Sequence, residues 1–342
     1  MRKHRLALIG LGMAVTPHAR SLVDLHDRVE VVGAFSPSQA RREAFASRYP
    51  FPIVGSLDAV FDDPSVDVVA ILTPPNTHLN LVRRAAAAGK HILLEKPLEV
   101  STERAVALVE SARDGGVRLG VMLQHRFRPA AVKLRAAIDA GEIGTIIGCS
   151  TSIRLWRPQN YYDEPGRGTK ARDGGGVLLT QGIHTLDLML SLAGPVAEVR
   201  GYGGTTSVHR METEDMVCAA VKFANGAFGV IDATTSAYPG FPERIEIAGE
   251  RATAVIAGTE LKVFHHDGRL TEIKADASSG GTGADPMAFP HDYHRAAIAD
   301  LLDAIEGSRE PTVSGAEALR VHHLIDALLD AAASGQTVAV HT

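Results

Sequence analysis

Short apolar runs alternate with amphipathic stretches along the first third of the chain. The apolar runs are typical of buried strands, and the stretches between them have the periodicity of helices. The predicted strands are Leu6–Ile9, Glu30–Ala34, Val66–Leu72, His91–Leu94 and Val117–Met122, and the predicted helices between and beside them end near Leu25, Arg48, Ala88 and Arg113. This alternation predicts a parallel sheet with helices on both faces.

The pattern changes after about Gln124. A helix over 129–140, a long strand over 145–156, a polar loop and a helix over 183–192 come first, and strands follow near 214–224, 226–235, 243–248, 252–257 and 260–266. Consecutive strands joined by turns predict an antiparallel sheet. The predicted domains are therefore an α/β domain over 1–123 and an α+β domain over 124–342. Two C-terminal helices, about 290–306 and 314–333, can pack on either domain, and the tract Ser278–Gly283 is predicted to be a loop.

Composition narrows the function classes. The chain has 342 residues, 45% hydrophobic and 22% charged, with a net charge of −5, which disfavours nucleic-acid binding. No apolar run reaches the length of a membrane span, and Gly10 and Gly12 interrupt the N-terminal run that imitates a signal peptide. Cys149 and Cys218 lie in apolar runs and are predicted to be buried thiols. A cytoplasmic protein without membrane partners is expected.

A glycine turn follows the first predicted strand. Gly10-Leu11-Gly12 opens a helix inside a βαβ unit, the context in which the backbone approaches a dinucleotide pyrophosphate. Met13 and Ala14 continue this turn, and Val15 stands where the third glycine of the motif is usual. A plain glycine turn without a ligand is the alternative.

The end of the second strand bears on the choice of dinucleotide. An Asp or Glu here would hold the ribose 2′-hydroxyl of NAD, but the chain has Ser36, Ser38, Arg41 and Arg42, which suit a 2′-phosphate. NADP is therefore favoured over NAD. The alternative is that Ser36 only caps the helix and that the arginines are solvated.

Two further strand ends reach the same edge of the predicted sheet. Thr73, Pro74, Asn76 and His78 follow the third strand, and Glu95-Lys96-Pro97 follows the fourth. Ligands of open α/β sheets bind at this edge, so the Lys96 ammonium can reach a ligand oxygen. A solvated surface lysine is the alternative.

A second candidate site lies in the C-terminal half. Gly174-Gly175-Gly176 allows close backbone approach, and His184 begins the next helix as a candidate base. The preceding loop has aromatic and cationic side chains suited to a polyol ring or a carboxylated substrate, although a solvated loop is an equal alternative. These side chains are Arg154, Trp156, Tyr161, Tyr162, Arg167, Lys170 and Arg172. The pairs His265-His266, His291/His294 and His322-His323 have no carboxylate or cysteine at ligand spacing, so exposed or capping histidines and no metal are predicted.

Taken together, these motifs resemble the glucose–fructose oxidoreductase, inositol dehydrogenase and MocA family. The likeness rests on the glycine turn, on 73–78, 95–97, Gln124-His125-Arg126-Phe127 and 174–187, in that order. It implies a Rossmann domain followed by a domain with a large open, mostly antiparallel sheet, through which dimers or tetramers form. It also implies hydride transfer between a nicotinamide and a sugar or cyclitol hydroxyl.

The resemblance also implies residue roles. Lys96 matches the catalytic lysine and His184 the catalytic histidine, while Thr180 replaces an aspartate common four residues before that histidine, so Lys96, Asp187 or Asp173 must take over part of the proton path. Substrate contacts are expected at Lys96, Trp156, Tyr162, Arg172, Thr180 and His184. Cofactor contacts are expected at Gly10, Gly12, Met13, Ala14, Ser36, Ser38, Arg41, Thr73, Pro74, Asn76, His78, Glu95, Lys96, Gln124 and Arg126.

The predicted function is an NADP-preferring oxidoreductase acting on a sugar, cyclitol or related cyclic alcohol. Glycoside hydrolysis by transient oxidation uses the same lysine and cofactor, so it stays open as an alternative. A non-catalytic dinucleotide sensor is a further alternative, which the presence of Lys96 disfavours.

Overall fold

The computed structural model describes residues 2–274 and 290–341, so the predicted loop Ser278–Gly283 lies outside the described residues. The chain divides into two compact units. The first unit is Met1–Gln124 with His291–Leu319, and the second is His125–Pro290 with Arg320–Thr342. Residues 291–319 thus belong with the N-terminal unit, whereas the sequence placed 124–342 in one continuous domain.

The first unit contains a five-stranded parallel sheet in the order β2-β1-β3-β4-β5. Its strands are His4–Ile9 (β1), Val29–Phe35 (β2), Val68–Ile71 (β3), His91–Leu94 (β4) and Leu119–Val121 (β5). All of β3 is buried, as expected for a central strand covered on both faces. The order reverses direction at β1 and β3, and such switch points are where open α/β sheets bind ligands. The prediction of a doubly wound parallel domain is confirmed.

Helices flank this sheet. They are Val15–Asp24 (α1), Gln39–Ala46 (α2), Asp58–Phe61 (α3), His78–Ala87 (α4), Thr102–Asp114 (α5) and Asp292–Glu306 (α10). Ser38 and Ser101 cap α2 and α5, because each hydroxyl accepts the backbone N–H three residues on. Helix α10 returns from the C-terminal part of the chain to pack against α1, β4 and β5.

The second unit contains a nine-stranded sheet in the order β13-β12-β11-β10-β6-β9-β8-β7-β14. Its strands are Ile146–Arg154 (β6), Val196–Gly204 (β7), Met216–Phe223 (β8), Phe228–Thr234 (β9), Arg244–Gly249 (β10), Ala252–Ala257 (β11), Glu260–His265 (β12), Leu270–Ile273 (β13) and Val338–Ala339 (β14). Only β6 and β9 pair in parallel among these strands. The predicted large, mostly antiparallel sheet is confirmed.

The two faces of this sheet differ. Helices Pro129–Asp139 (α6) and Ile183–Ala193 (α9) pack on the face that carries buried residues such as Ile153, Ile247 and Val263. The opposite face carries exposed side chains, among them Cys218. The prediction that both cysteines are buried is therefore wrong for Cys218, because the alternation of β8 turns it outward.

The remaining helices of this unit are Gln159–Tyr162 (α7), Lys170–Asp173 (α8) and part of Gly315–Ser334 (α11). Within the described residues, one helical stretch, Lys170–Ala193, is long and apolar enough to cross a membrane. Since 78% of its apolar window is buried inside the protein, the stretch has the character of a core helix.

Candidate functional site

The glycine turn joins β1 to α1 at the carboxyl edge of the parallel sheet. Gly10 has φ +103°, and a Cβ built on it would lie 2.7 Å from the carbonyl carbon and oxygen of Leu72, so only glycine fits there. A Cβ built on Gly12 would meet no other atom within 4 Å. Gly10 therefore serves the fold, while Gly12 leaves its backbone open to a ligand.

Helix α1 begins directly after this turn. Ala14 precedes it without a side-chain capping bond, and its first turn contains no acidic residue. Unpaired N–H groups at a helix start attract phosphate oxygens. Met13 is 67% exposed beside them, and Val15 is buried against the sheet in place of a third glycine.

At the end of β2, the hydroxyls of Ser36 and Ser38 accept backbone N–H groups of the chain that follows. The Ser36 hydroxyl accepts the backbone N–H of Ser38 at 3.3 Å and is buried, and the Ser38 hydroxyl accepts that of Arg41 at 3.4 Å. The Arg42 guanidinium donates to the Ser36 carbonyl at 2.6 Å, and Arg41 is exposed. A ligand therefore has access to the arginines and little access to Ser36.

The turn after β3 exposes Pro74 and Asn76, and the Thr73 and Thr77 hydroxyls hydrogen-bond at 2.7 Å. His78 is fully buried, with its Nε2 2.8 Å from the Thr73 carbonyl and its Nδ1 3.1 Å from the carbonyls of Pro97 and Leu98. Burial lowers the pKa of His78. The ring of His78, which is predicted to contact the cofactor, thus lies against backbone carbonyls of its own turn and of the turn after β4.

The turn after β4 carries Glu95 and the half-buried Lys96, and the Lys96–Pro97 peptide bond is cis. One Glu95 oxygen lies 2.7 Å from His18 Nε2, and the other accepts the Lys96 backbone N–H at 3.1 Å. Gln124 is the last residue of the N-terminal segment of this unit. Its buried Oε1 has no hydrogen-bond partner among the described residues. An orphaned buried amide oxygen is uncommon and indicates a group that binds there.

In the second unit, the half-buried carboxylate of Glu214 anchors the glycine-rich stretch. Glu214 accepts the backbone N–H groups of Gly176 at 3.0 Å and Leu178 at 3.2 Å. Burial raises the pKa of Glu214 against these hydrogen bonds. A Cβ on Gly176 would lie 1.8 Å from the Glu214 carbonyl oxygen, so this contact requires glycine. A π-helical turn over Leu178–Gly182 then leads into α9.

Thr180 and His184 lie one helical turn apart at the start of α9. The Thr180 hydroxyl donates to the Gly176 carbonyl at 2.6 Å. The half-buried ring of His184 stacks on that of His125, with centroids 4.8 Å apart. Arg128 contacts His125 Nε2, and Glu243 lies 3.8 Å from Nδ1. A guanidinium only donates, so His125 carries its proton on Nδ1, toward Glu243.

Both carboxylates that could replace the missing aspartate are bound by the protein itself. Asp187 accepts two N–H groups of Arg126, at 2.6 and 2.8 Å, and Asp173 accepts the Gly168 N–H at 2.8 Å. Arg126 was predicted to contact the cofactor, and the structure places its guanidinium in this buried ion pair.

The polar loop before the glycines is partly internal. Tyr162, which is predicted to contact the substrate, has a buried hydroxyl that donates to Thr235 at 2.9 Å, and burial raises its pKa to about 12. The half-buried Tyr161 stacks under Arg167, 4.2 Å from the ring centroid. Arg172 donates to the Pro165 carbonyl at 2.8 Å, and the half-buried Trp156 packs edge-on against Tyr238.

Comparison with known proteins identifies the family. Residues 4–123 match the model of the oxidoreductase family NAD-binding Rossmann fold, and residues 131–255 match that of the GFO/IDH/MocA C-terminal domain. A 1,5-anhydro-D-fructose reductase of Ensifer adhaerens is 30% identical over 320 residues, 92% of each chain. The chain belongs to the GFO/IDH/MocA oxidoreductase family.

Other members of the GFO/IDH/MocA family are similar over nearly the whole chain. The scyllo-inositol 2-dehydrogenase (NAD⁺) of Bacillus subtilis strain 168 is 28% identical, covering 92% of this chain and 90% of its own. The WlbA dehydrogenase of Bordetella pertussis, solved with NADH and UDP-GlcNAcA, is 28% identical with a TM-score of 0.85 and covers 100% of both chains. The chain is thus an oxidoreductase whose first unit contains the family's NAD-binding domain.

The donors and acceptors of the first unit fit a nicotinamide dinucleotide. Gly12 and the uncapped start of α1 suit the pyrophosphate, and the Gln124 amide offers a buried acceptor. Sequence motifs predict no role for Glu243, and they predict none for His125 although it lies in the motif Gln124-His125-Arg126-Phe127. Its stacking on His184 could not be found from spacing, because 59 positions separate the two residues.

The histidine pairs also differ from expectation. His265, His294 and His322 are buried, so the prediction of exposed or capping histidines is wrong for these three. His294 lies beside His18 and Glu95 in the first unit.

Proposed function

We propose that the protein is an NADP-preferring oxidoreductase that transfers a hydride between the nicotinamide and a carbon bearing a hydroxyl of a sugar, cyclitol or related cyclic alcohol. Relatives with inositol and anhydrofructose activities support this substrate class. The observation that carries the proposal is the half-buried Lys96 on the turn after β4, at the edge of the sheet where α/β proteins bind ligands.

The residues of the chain supply the proton chemistry. Bound nicotinamide would accept or give the hydride. The Lys96 ammonium stabilises the negative charge that develops on the substrate oxygen. The His184 imidazole accepts the hydroxyl proton, and its stacking on His125 holds the ring in one orientation. Thr180 is uncharged, and its hydroxyl already donates to the Gly176 carbonyl. It therefore orients the start of the helix and does not transfer a proton to or from the substrate.

A spectrophotometric screen tests this function. Purified protein with NADP and a panel of cyclitols and pyranoses is expected to form reduced nicotinamide, measured at 340 nm. Lys96→Met keeps the aliphatic stem and is expected to lower kcat/KM by about a hundred- to a thousandfold, as for the loss of an oxyanion donor. Lys133→Ala, on the exposed face of α6, is the matched control and is expected to retain full activity. Equal rates in Lys96→Met and wild type would contradict the proposal.

The same screen separates oxidation from glycoside hydrolysis. Aryl glycosides are added together with the cofactor, and release of the aryl alcohol is followed in parallel with nicotinamide absorbance. Net reduction of the cofactor without release of the aryl alcohol is expected. Release without net reduction would favour hydrolysis by transient oxidation.

The preference for NADP rests on the end of β2. No carboxylate follows Phe35, while Arg41 is exposed and Arg42 is held there by its bond to the Ser36 carbonyl. Fluorescence titration is expected to give a lower Kd for NADPH than for NADH. Arg41→Ala should weaken NADPH binding and leave NADH binding unchanged, and Arg20→Ala, also exposed, serves as the control. A lower Kd for NADH would overturn the preference.

We also propose that the open face of the large sheet joins copies of the chain into a homo-oligomer. Exposed apolar side chains lie on this face, since Phe228 and Val230 of β9 pair with Lys222 and Ala220 of β8, and Tyr202 of β7 pairs with Cys218 two positions along β8. Surfaces of this kind usually mark protein contacts. Light scattering after size exclusion is expected to show an oligomer and to show a monomer for Phe228→Lys combined with Val230→Glu.

The cytoplasmic location remains a proposal that rests on the thiols. Cys149 is buried, burial raises its pKa to about 12, and neither it nor the exposed Cys218 forms a disulfide. Fractionation of cells that express the protein is expected to leave it with the soluble cytoplasmic fraction.

A further inference from the structure

A compact group of three side chains lies behind the lysine turn in the first unit. His18 comes from α1, Glu95 from the end of β4 and His294 from α10, and their nitrogen and carboxylate oxygen atoms all lie within 4.8 Å of one another. The rings of His18 and His294 meet edge to face, with centroids 5.1 Å apart. These three residues are here called the His–Glu–His cluster. The proposed hydride transfer does not require the His–Glu–His cluster to take part.

Glu95 is the link between the cluster and Lys96. Its Oε1 lies 2.7 Å from His18 Nε2, and its Oε2 accepts the Lys96 backbone N–H at 3.1 Å. Burial alone raises the pKa of Glu95, but the hydrogen bond and charge of His18, with the charge of Lys96, bring it below its ordinary value. The carboxylate is therefore ionised, and both oxygens are fixed.

His294 forms the wall of the cluster. Burial first, and then the charge of His18, lower its pKa to about 3, although Glu95 acts in the opposite direction. The ring is neutral at physiological pH and packs edge to face against the ring of His18. His291, one turn earlier, is the other titratable neighbour, and its Nε2 lies 2.8 Å from Asp24, which Arg295 also contacts.

We propose that the His–Glu–His cluster is a positioning device for Lys96: His18 and His294 hold the Glu95 carboxylate in place, and Glu95 fixes the peptide plane that carries the lysine and maintains its ammonium form. The three are positioning residues, since Glu95 acts on Lys96 through the backbone and through charge. This inference rests on the proposed role of Lys96.

The three residue types also form a zinc ligand set. A metal ion would have to break the 2.7 Å contact between His18 and Glu95, and the two histidines are almost completely buried, which leaves no solvent-facing coordination position. Positioning accounts for the arrangement as it stands, and metal binding becomes an outcome of the test.

The test reads the Lys96 amine directly and requires no substrate. Full-length protein is trace-labelled with acetic anhydride between pH 7 and pH 11, and mass spectrometry of the peptide that contains Lys96 gives the pKa of its amine. Loss of a nearby opposite charge lowers a lysine pKa by about one unit or more. Glu95→Gln and His18→Leu are therefore expected to raise Lys96 labelling at pH 8 roughly tenfold. His18→Gln keeps a donor and should restore most of the wild-type profile.

Matched variants separate positioning from general damage. Glu99→Gln removes a buried carboxylate of the same turn that pairs with Arg104, and it is expected to leave Lys96 labelling within about twofold. His294→Phe retains a neutral ring and should keep the wild-type profile, whereas His294→Ala should not.

Three outcomes would overturn the inference. The first is an unchanged labelling profile in both Glu95→Gln and His18→Leu, and the second is an equal change in Glu99→Gln. The third is stoichiometric zinc binding to the wild type that His18→Gln abolishes. If His18→Leu fails to fold, the comparison of Glu95→Gln with Glu99→Gln decides alone. Since no turnover is measured, a wrong substrate class cannot produce any of these results.

Discussion

Arg126 and Asp187 form a two-pronged ion pair, with Nε 2.8 Å from Oδ2 and Nη2 2.6 Å from Oδ1. Both side chains are almost completely buried. Arg126 lies just before α6, and Asp187 lies within α9. The ion pair therefore joins the start of α6 to α9 within the second unit. The family motif that contains Arg126 thus has a structural task as well as any part in binding.

Breaking this pair is expected to destabilise the protein strongly. Asp187→Asn leaves a guanidinium buried without its charge partner, a change that costs about 3–5 kcal/mol. The double variant Arg126→Met, Asp187→Leu removes both charges and should recover most of that loss. Urea unfolding followed by circular dichroism gives the two values. A double variant as unstable as the single one would show that the charges themselves are needed.

The two glycines of the first turn should separate folding from binding. Gly10→Ala forces a Cβ against the Leu72 carbonyl at positive φ and is expected to lower Tm by several degrees. Gly12→Ala meets no atom of the protein, so its Tm should be unchanged while the Kd for reduced nicotinamide cofactor rises about tenfold or more. Thermal melting and fluorescence titration measure the two quantities. A loss of Tm in Gly12→Ala would contradict this division.

Tyr162 should make stability fall at high pH. Its pKa is raised to about 12 in the folded protein, so it stays protonated between pH 10 and 12 while the unfolded chain ionises. Stability is therefore fully present below about pH 10 and declines by about 2–3 kcal/mol as pH rises to 12. Unfolding at several pH values should show this decline in the wild type and a smaller one in Tyr162→Phe. Tyr161→Phe, its neighbour, is the control and should behave as the wild type.

Thr180→Asp restores the carboxylate that many family members have. Positions 180 and 184 share one helical face, so an anionic side chain there stabilises the protonated form of His184. The acidic limb of the pH profile of kcat/KM is expected to move upward by about one unit. Thr180→Asn has the same shape without the charge and should not shift the limb. An identical profile for Asp and Asn would show that residue 180 does not govern the proton.

The sequence predicted the elements and motifs well where local pattern controls the outcome. Buried parallel strands are short apolar runs, and all five strands of the parallel sheet overlap the five predicted runs. The glycine turn could be predicted for the same reason, because few residues other than glycine adopt the positive φ found at Gly10.

Side-chain roles in irregular segments could not be predicted. Tyr161 and Tyr162 are adjacent in a loop without periodicity, and only the position of Thr235 decides that Tyr162 is the internal one. The motif of His78 predicts a cofactor contact, yet its ring lies against carbonyls of its own turn and of the turn after β4. His294 lies 199 positions after Glu95, and no local signal connects them.

The return of α10 to the first unit has a consequence for biosynthesis. Helix α1 and strands β4 and β5 leave the ribosome early, but the helix that packs on all three is translated after strands β6 to β13. The Val121 N–H donates to the carbonyl of Val313, which is also synthesised later. A nascent chain that stops before His291 keeps this apolar surface exposed to chaperones. The parallel sheet therefore acquires the cover of α10 only after most of the large sheet has been synthesised.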